Sequence, residues 1–501
     1  MTEYNKLCNS KFKLNKAQTY LSEYMKNHDN LLIYHKIGSG KTCTSIQIAE
    51  NLKKSYKILI VTQASLIPSY LQELYGPCAN YKYMSKENYE NLNNIDNEII
   101  NKSNDKINKY YNIISYDKYC SSKINLNKSL LIIDEVQNII SSTGVRYKKI
   151  FNDIYKTKEK LKIILMSATP IFDRFEELLL TFNLLRPEKI FKLDSSINDL
   201  KEFIHNNVSY YRGSNPIVFP KVNNIIEYCK MTKYQYFQYN KVAINNDNII
   251  NNEDILKISQ LPNNFLLGER MVSNICFPTG SVNNSTLTKK AILKHLKIYS
   301  IKFYKLLKNI KKENGKLIIY SNFTNQFGIK SLTKILETNG YKNFSKHGVG
   351  LKRFGIFSGD ENNKYRTMLK NTYNLKENVD GELIKIIILS PAGKEGLNFN
   401  SVKSIHIIEP YWNNSRIEQI KGRGIRTCSH KLLPSRQRYV NVYLYVSILP
   451  YKNYGISTDE YILKICNKKE EINKKFNKFL KEYALDCNIL KKYNDIKCKK
   501  I

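Results

Sequence analysis

The sequence predicts an α/β protein of two doubly wound, parallel-sheet lobes, and three observations carry that expectation. Short apolar, β-branched runs recur in two sets of five, and stretches of helical periodicity separate them. At 501 residues the chain is also too long for one ordinary core, so two or three domains are the natural division.

The first set of runs is Leu31–Tyr34, Ile58–Val61, Tyr111–Ile114, Leu130–Ile133 and Ile163–Met166. Such runs suit parallel strands, which are covered on both faces. Helical patterns at Cys43–Lys53 and Ser65–Leu74 supply the covering layers, which gives a first lobe over residues 1–190. Residues 191–310 are rich in Asn, Lys and Tyr, with weak periodicity until a predicted helix at Lys289–Lys308. They read as a helical or partly irregular insert. The second set, Leu317–Tyr320, Gly355–Phe357, Ile384–Leu389, Ile405–Ile408 and Val440–Val446, with a helical pattern at Asn325–Thr338, predicts a second lobe over 311–447. Beyond it the pattern turns helical. Ser457-Thr-Asp-Glu460 resembles a capping box, so 448–501 reads as a helical extension whose basic end, Lys491–Ile501, is frayed.

A formal charge of +36 suggests an acidic partner, nucleic acid first. The charge is discounted by its makeup: 68 Lys against 12 Arg, with abundant Asn, Ile and Tyr, is what an A/T-rich genome writes whatever the function. Five of the 12 arginines fall between Arg416 and Arg438, where guanidinium geometry is therefore expected to matter. Ten cysteines form no Cys-x-x-Cys pair and seven histidines are dispersed, which argues against structural zinc and predicts free thiols in a reducing compartment. The N-terminus has no apolar signal core. No apolar run approaches the roughly 18 residues of a membrane helix, so a cytosolic protein without membrane contact is expected.

The chemistry begins at His35-Lys-Ile-Gly-Ser-Gly-Lys-Thr42, between a predicted strand and a predicted helix. A Gly-rich turn feeding a helix N-terminus holds phosphate through backbone N–H groups and the helix dipole. Gly38, Ser39 and Gly40 would form the cradle, Lys41 would reach the terminal phosphates, and Thr42 would ligate Mg²⁺. His35 stands where a first Gly is common. Leu130-Leu-Ile-Ile-Asp-Glu-Val-Gln137 ends a buried strand in two carboxylates: Asp134 suits Mg²⁺ and Glu135 suits a general base for the attacking water. The other reading of this pair is acids capping the next helix. Leu165-Met-Ser-Ala-Thr-Pro170 either senses the γ-phosphate or is a plain strand-to-turn signal. In the second lobe, Ser390-Pro-Ala-Gly-Lys-Glu-Gly396 precedes Gln419-Ile-Lys-Gly-Arg-Gly-Ile-Arg426. If that stretch is helical, Arg423 and Arg426 share a face. They read as arginine fingers or as a patch on phosphate backbones.

Taken in order, these motifs resemble superfamily 2 helicases and translocases, over about residues 14–447. The similarity is closest to the branch holding Swi/Snf-type remodellers and the ATPases of large cytoplasmic DNA viruses, through Asn183-Leu-Leu-Arg-Pro187 and Glu409-Pro-Tyr-Trp-Asn413. Thr458-Asp-Glu-Tyr461 and Lys481-Glu-Tyr-Ala-Leu-Asp-Cys487 are similar to the tails of viral early-transcription-factor small subunits and of nucleoside triphosphatase I. A related ATPase is carried by yeast linear cytoplasmic plasmids.

The resemblance implies two RecA-like lobes with ATP and Mg²⁺ between them and nucleic acid across the top. It also implies that Gln419, Arg423 and Arg426 close the site from the second lobe. Closure on ATP and reopening after hydrolysis would drive movement on DNA, or on RNA, during viral transcription, in the host cytoplasm (the viral factory) or in the virion. A promoter-binding initiation factor, in which ATP gates contacts with a partner subunit and viral RNA polymerase, is the alternative. A metabolic P-loop kinase would not require the second strand set. Gln18, 23 residues before Lys41, suits a glutamine that reads adenine, or a solvated helix residue. Gln137 departs from the His or Asp of this box, and Trp412 suits packing more than base stacking.

Overall fold

In the computed structural model, described for residues 3–9, 13–36, 38–92, 95–169, 175–213, 215–244, 266–279, 284–391, 397–451 and 455–499, the chain divides into two compact units. One holds residues 9–215 and 471–501, and the other residues 1–8 and 216–470. They are called the first and second lobes.

Six strands form the first lobe's sheet: β1 (Asn30–His35), β2 (Lys57–Thr62), β3 (Tyr111–Ser115), β4 (Ser129–Asp134), β5 (Leu161–Ser167) and β6 (Val208–Tyr211). All pair in parallel, in the order β3-β2-β4-β5-β1-β6. Their sequences explain why. Leu32, Leu59, Leu131 and Ile163 enter one core, while neighbours Leu31, Ile58, Leu130 and Ile164 enter the other. Both faces are therefore buried, and each fully covered Leu or Ile stabilises by roughly 1.5–3 kcal/mol. Register sets the strand ends level: Tyr34 lies beside Ser167, and Asp134 beside Met166. The carboxyl edge of β1, β4 and β5 is where α/β sheets place ligands.

The second lobe's sheet has seven strands: β7 (Lys221–Lys230), β8 (Lys316–Tyr320), β9 (Lys342–Asn343), β10 (Arg353–Phe357), β11 (Ile386–Leu389), β12 (Val402–Ile407) and β13 (Tyr439–Ile448). Their order is β7-β13-β12-β8-β11-β10-β9, again parallel throughout. Leu317, Ile319, Ile386 and Ile388 face one core, and Ile318, Tyr320, Ile387 and Leu389 the other.

All ten predicted strands are present, and three more appear that the sequence did not announce. Two come from the segment expected as an insert. β6 extends the first sheet and β7 pairs with β13 along its whole length, so residues 191–310 are shared between the lobes. The helix expected over Lys289–Lys308 is two, Lys289–Tyr299 and Ile301–Lys312. Ser300 breaks them in an extended conformation, and its Oγ accepts from Phe303 N at 3.0 Å to cap the second. The capping box expected at Ser457 is present: Glu460 N donates to Ser457 Oγ and Ser457 N to Glu460 Oε2. It starts the 26-residue helix Thr458–Tyr483, which belongs to the second lobe up to Glu470 and to the first lobe beyond. A second tail helix, Cys487–Asn494, comes next.

The expectation of free thiols is corrected. Cys43–Cys78 and Cys487–Cys498 are disulfides of the first lobe, and Cys8–Cys428 of the second; Cys120, Cys229, Cys276 and Cys466 remain thiols. No described helix is long and apolar enough to cross a membrane.

Candidate nucleotide site

The phosphate loop leaves β1 at His35 and enters the helix Lys41–Leu52. Gly38 and Gly40 have φ of +77° and +87°, a region that costs any residue with a Cβ. At Gly40 a Cβ would also come within 2.8 Å of Gln18 Nε2. Gln18 is 5% exposed, so the solvated-helix alternative does not describe it. Its Oε1 accepts from Asn15 N at 2.8 Å while its own N–H donates to Asn15 Oδ1, a capping box that starts the helix Lys16–Asn27. Its Nε2 reaches Gly40 O at 3.3 Å. Lys41 Nζ rests on the carbonyl of His35 at 3.2 Å. Ser39 Oγ is buried without a hydrogen-bond partner among the described residues, as a hydroxyl awaiting a phosphate oxygen would be. Thr42 occupies the second position of the helix.

Asp134 closes β4, 6% exposed. Burial first, and the Glu135 charge second, push its pKa up to about 7, while Lys41 and a 3.4 Å bond from Thr62 Oγ1 act against that rise. A buried carboxylate so uncomfortable as an anion fits a divalent cation, which together with Thr42 it would hold. Glu135 has φ of +53°, a left-handed conformation rare for this residue type. Tyr116 OH anchors the turn by donating to the carbonyls of Asp134 and Glu135. Next in the chain is a three-residue 3₁₀ turn, Val136–Asn138, not a helix the acids could cap.

Gln137 is where side chains from two motifs meet. Its Nε2 donates to Glu135 Oε2 at 2.6 Å, its Oε1 accepts from Ser167 Oγ at 2.8 Å, and Ser167 Oγ in turn accepts from Thr169 N at 2.9 Å. One amide thus ties the acidic box to the Ser-Ala-Thr turn that ends β5. Pro170 lies outside the described residues.

In the second lobe Gln419 sits in the helix Asn414–Lys421, and that helix ends before the arginines. The expectation that Arg423 and Arg426 share a helical face is corrected: Gly422 caps the helix and Gly424 sits so close to Val402 that a Cβ would meet it at 3.0 Å. Arg423, 6% exposed, donates from Nε to Gln419 O and from Nη1 to Leu397 O. Arg426 is half-buried, with Nε on Gly422 O at 2.8 Å. The Cys8–Cys428 disulfide fastens the turn just beyond. Residues 392–396 of the Ser390–Gly396 stretch lie outside the described residues. Trp412 stacks on Tyr411 at 4.1 Å and packs with Leu266, Tyr461 and Ile465, the packing role expected.

Sequence reasoning missed Thr62, Ser209 and Asp486, whose contacts (Thr62 with Asp134, Ser209 with His35, Asp486 with Ser209) span 72, 174 and 277 positions of chain.

Two parallel-sheet lobes, one with a phosphate loop and an acid pair at its strand ends, define a two-lobed ATP-hydrolysing enzyme of the helicase class. Residues 8–172 match the family model for the type III restriction enzyme res subunit, and 301–428 that for the helicase conserved C-terminal domain. The chain is 38% identical to "Putative ATP-dependent RNA helicase R563" of Acanthamoeba polyphaga mimivirus, over 98% of this chain and 92% of that one. It is 28% identical to "Putative helicase 087L" of Invertebrate iridescent virus 3, covering 96% and 54%. With a "Termination factor NPH-I homolog" of African swine fever virus the identity is 26%, covering 92% and 77%. The chain belongs to the superfamily 2 helicases, in the group that includes these proteins of large DNA viruses.

Proposed function

We propose that the protein is a motor that hydrolyses Mg²⁺-bound ATP to move on a nucleic-acid strand during transcription of a large cytoplasmic DNA virus. The observation that carries the reading is the Gln137 bridge, because a motor needs the hydrolytic base tied to a segment that responds when the site closes. Glu135 takes a proton from the attacking water, and Lys41 leaves the His35 carbonyl for the terminal phosphates. Gly38, Ser39 and Gly40 cradle those phosphates and Gln18 lies against the loop to read the base. Mg²⁺ on Thr42 and Asp134 would draw charge off the phosphate oxygens. Gln419, Arg423 and Arg426 supply the remaining groups, Arg426 as the finger. DNA is the expected track and RNA the alternative, with the host cytoplasm as the place of action.

The test is steady-state ATPase with single-stranded DNA, duplex DNA and RNA at several salt concentrations. Turnover should rise with one polymer, and the rise should fade with salt as counterion release weakens binding. Flat turnover at saturating polymer would overturn the motor reading and favour an ATP-gated initiation factor that works with a partner subunit and polymerase.

A further inference from the structure

The tail that reads as an appendage in sequence ends inside the nucleotide site's support. Asp486 precedes the helix Cys487–Asn494 and is fully buried. Its Oδ1 accepts from Tyr210 N at 3.0 Å and its Oδ2 from the Ser209 hydroxyl at 2.5 Å. Ser209 Oγ lies 2.7 Å from Nε2 of His35, the residue at which β1 becomes the phosphate loop. His35 is also fully buried, and its carbonyl is the resting place of Lys41 Nζ. A continuous chain therefore runs Asp486, Ser209, His35, Lys41.

The chemistry of the chain sets its direction. Burial, with Lys41 nearby, lowers the His35 pKa to about 3, so the ring is neutral and carries one N–H. When Asp486 is ionised the Ser209 proton points to the carboxylate, and Ser209 Oγ must then accept from His35 Nε2–H. That choice fixes the tautomer and holds the ring. Docking the tail does not require it. Asn494 Nδ2 donates to Tyr210 O, Arg212 N to Asn494 Oδ1 and Leu485 N to Val208 O, so the segment is already fastened along β6. Burying a carboxylate there carries a desolvation cost that an apolar side chain would avoid. Burial raises the Asp486 pKa to about 7, and the Tyr20 phenol is close enough to feel its charge, while His35 reaches it only through Ser209.

We propose that Asp486 and Ser209 are positioning residues of the ATP site, holding the start of the phosphate loop through His35. The proposal rests on the reading of this loop as an ATP site. It makes the C-terminal tail a working part of nucleotide binding.

Ser209→Ala removes one hydroxyl and breaks the chain. Asp486→Asn keeps the shape but reverses it, because the amide donates to Ser209 and sends the Ser209 proton to His35 Nε2. Asn494→Ala loosens the tail without touching the chain, and Lys41→Ala reports whether the loop binds ATP at all. The full-length protein and each variant are measured for ATP KM, kcat and melting temperature. Nitrogen-15 shifts of His35, read above pH 7, report the tautomer. Ser209→Ala and Asp486→Asn should raise KM roughly five- to tenfold, with kcat within about twofold and no matching loss of thermal stability. His35 should be the Nε2–H tautomer in the parent and Nδ1–H in Asp486→Asn. Unchanged KM in both variants overturns the proposal, and so does a KM rise that merely tracks melting temperature as in Asn494→Ala. An unchanged tautomer in Asp486→Asn overturns it even if Ser209→Ala does not fold. If Lys41→Ala too leaves ATP binding intact, the ATP-site reading itself has failed.

Discussion

Replacing Glu135 with Gln separates the two carboxylates at the end of β4. The substitution keeps the side chain's length, and Gln137 Nε2, 2.6 Å away, can donate as well to an amide oxygen as to a carboxylate. What is lost is the proposed base, a group that contributes about 10²–10⁴ in rate, or about 2.7–5.5 kcal/mol of barrier. ATP affinity should move the other way. The Glu135 charge is the second cause of the raised Asp134 pKa, so neutralising it favours the ionised Asp134 and any cation it holds. Turnover should therefore fall by two to four orders of magnitude while Mg²⁺-ATP binds as tightly as before or a few-fold tighter. Single-turnover hydrolysis with equilibrium nucleotide titration reads both. Turnover within about tenfold of the parent would remove Glu135 as the base. A loss of affinity larger than about tenfold would make it a ligand instead.

Gln137→Ala should leave ATP affinity unchanged, because the bridge touches neither the phosphate loop nor Asp134, and should abolish most stimulation of turnover by nucleic acid. Stability should fall by about 1–3 kcal/mol for one charge-assisted and one neutral bond, read by chemical denaturation. Arg426→Ala should cut kcat by about 10³ or more with ATP KM nearly constant, whereas Arg423→Ala should lower melting temperature more, since its guanidinium is the more deeply buried of the two and serves both the Leu397 and Gln419 carbonyls. Equal thermal loss in the two would contradict that division. Asp486 holds its proton up to about pH 7 when folded but only to about 3.8 when unfolded, so folding takes up a proton in between and this group's contribution to stability falls as pH rises. Asp486→Asn lacks that slope: its melting temperature minus the parent's should grow from about pH 4 to about pH 7 and level off above, and a flat difference would refute the assignment.

The residues proposed to do chemistry were legible and those that support them were not, for one physical reason. Phosphate cradles, metal-binding carboxylates and small hydroxyl turns are contiguous because each is built where a single strand ends, so their signal fits in eight residues. Buried strands announce themselves in the same way. Edge strands do not: β7 alternates Asn224, Ile226 and Tyr228 on an exposed flank with half-buried neighbours, and β6 is only Val208–Tyr211 beside two asparagines, so neither makes an apolar run. Ser300 is invisible as a break because serine is tolerated within a helix, and only its 3.0 Å bond to Phe303 N shows it to be a cap. Gly422 and Gly424 were signals within reach: they predict the end of the helix between Gln419 and Arg423, and hence different surroundings for the two arginines. The Cys8–Cys428 disulfide and the His35–Ser209–Asp486 chain span 420, 174 and 277 residues, and nothing local marks them. His35 was nevertheless a flag, as a large ring at a position where glycine is common. A bulky side chain tolerated beside a phosphate loop must be buried against something, and here its Nε2 meets Ser209, the residue that connects the loop to Asp486 of the tail.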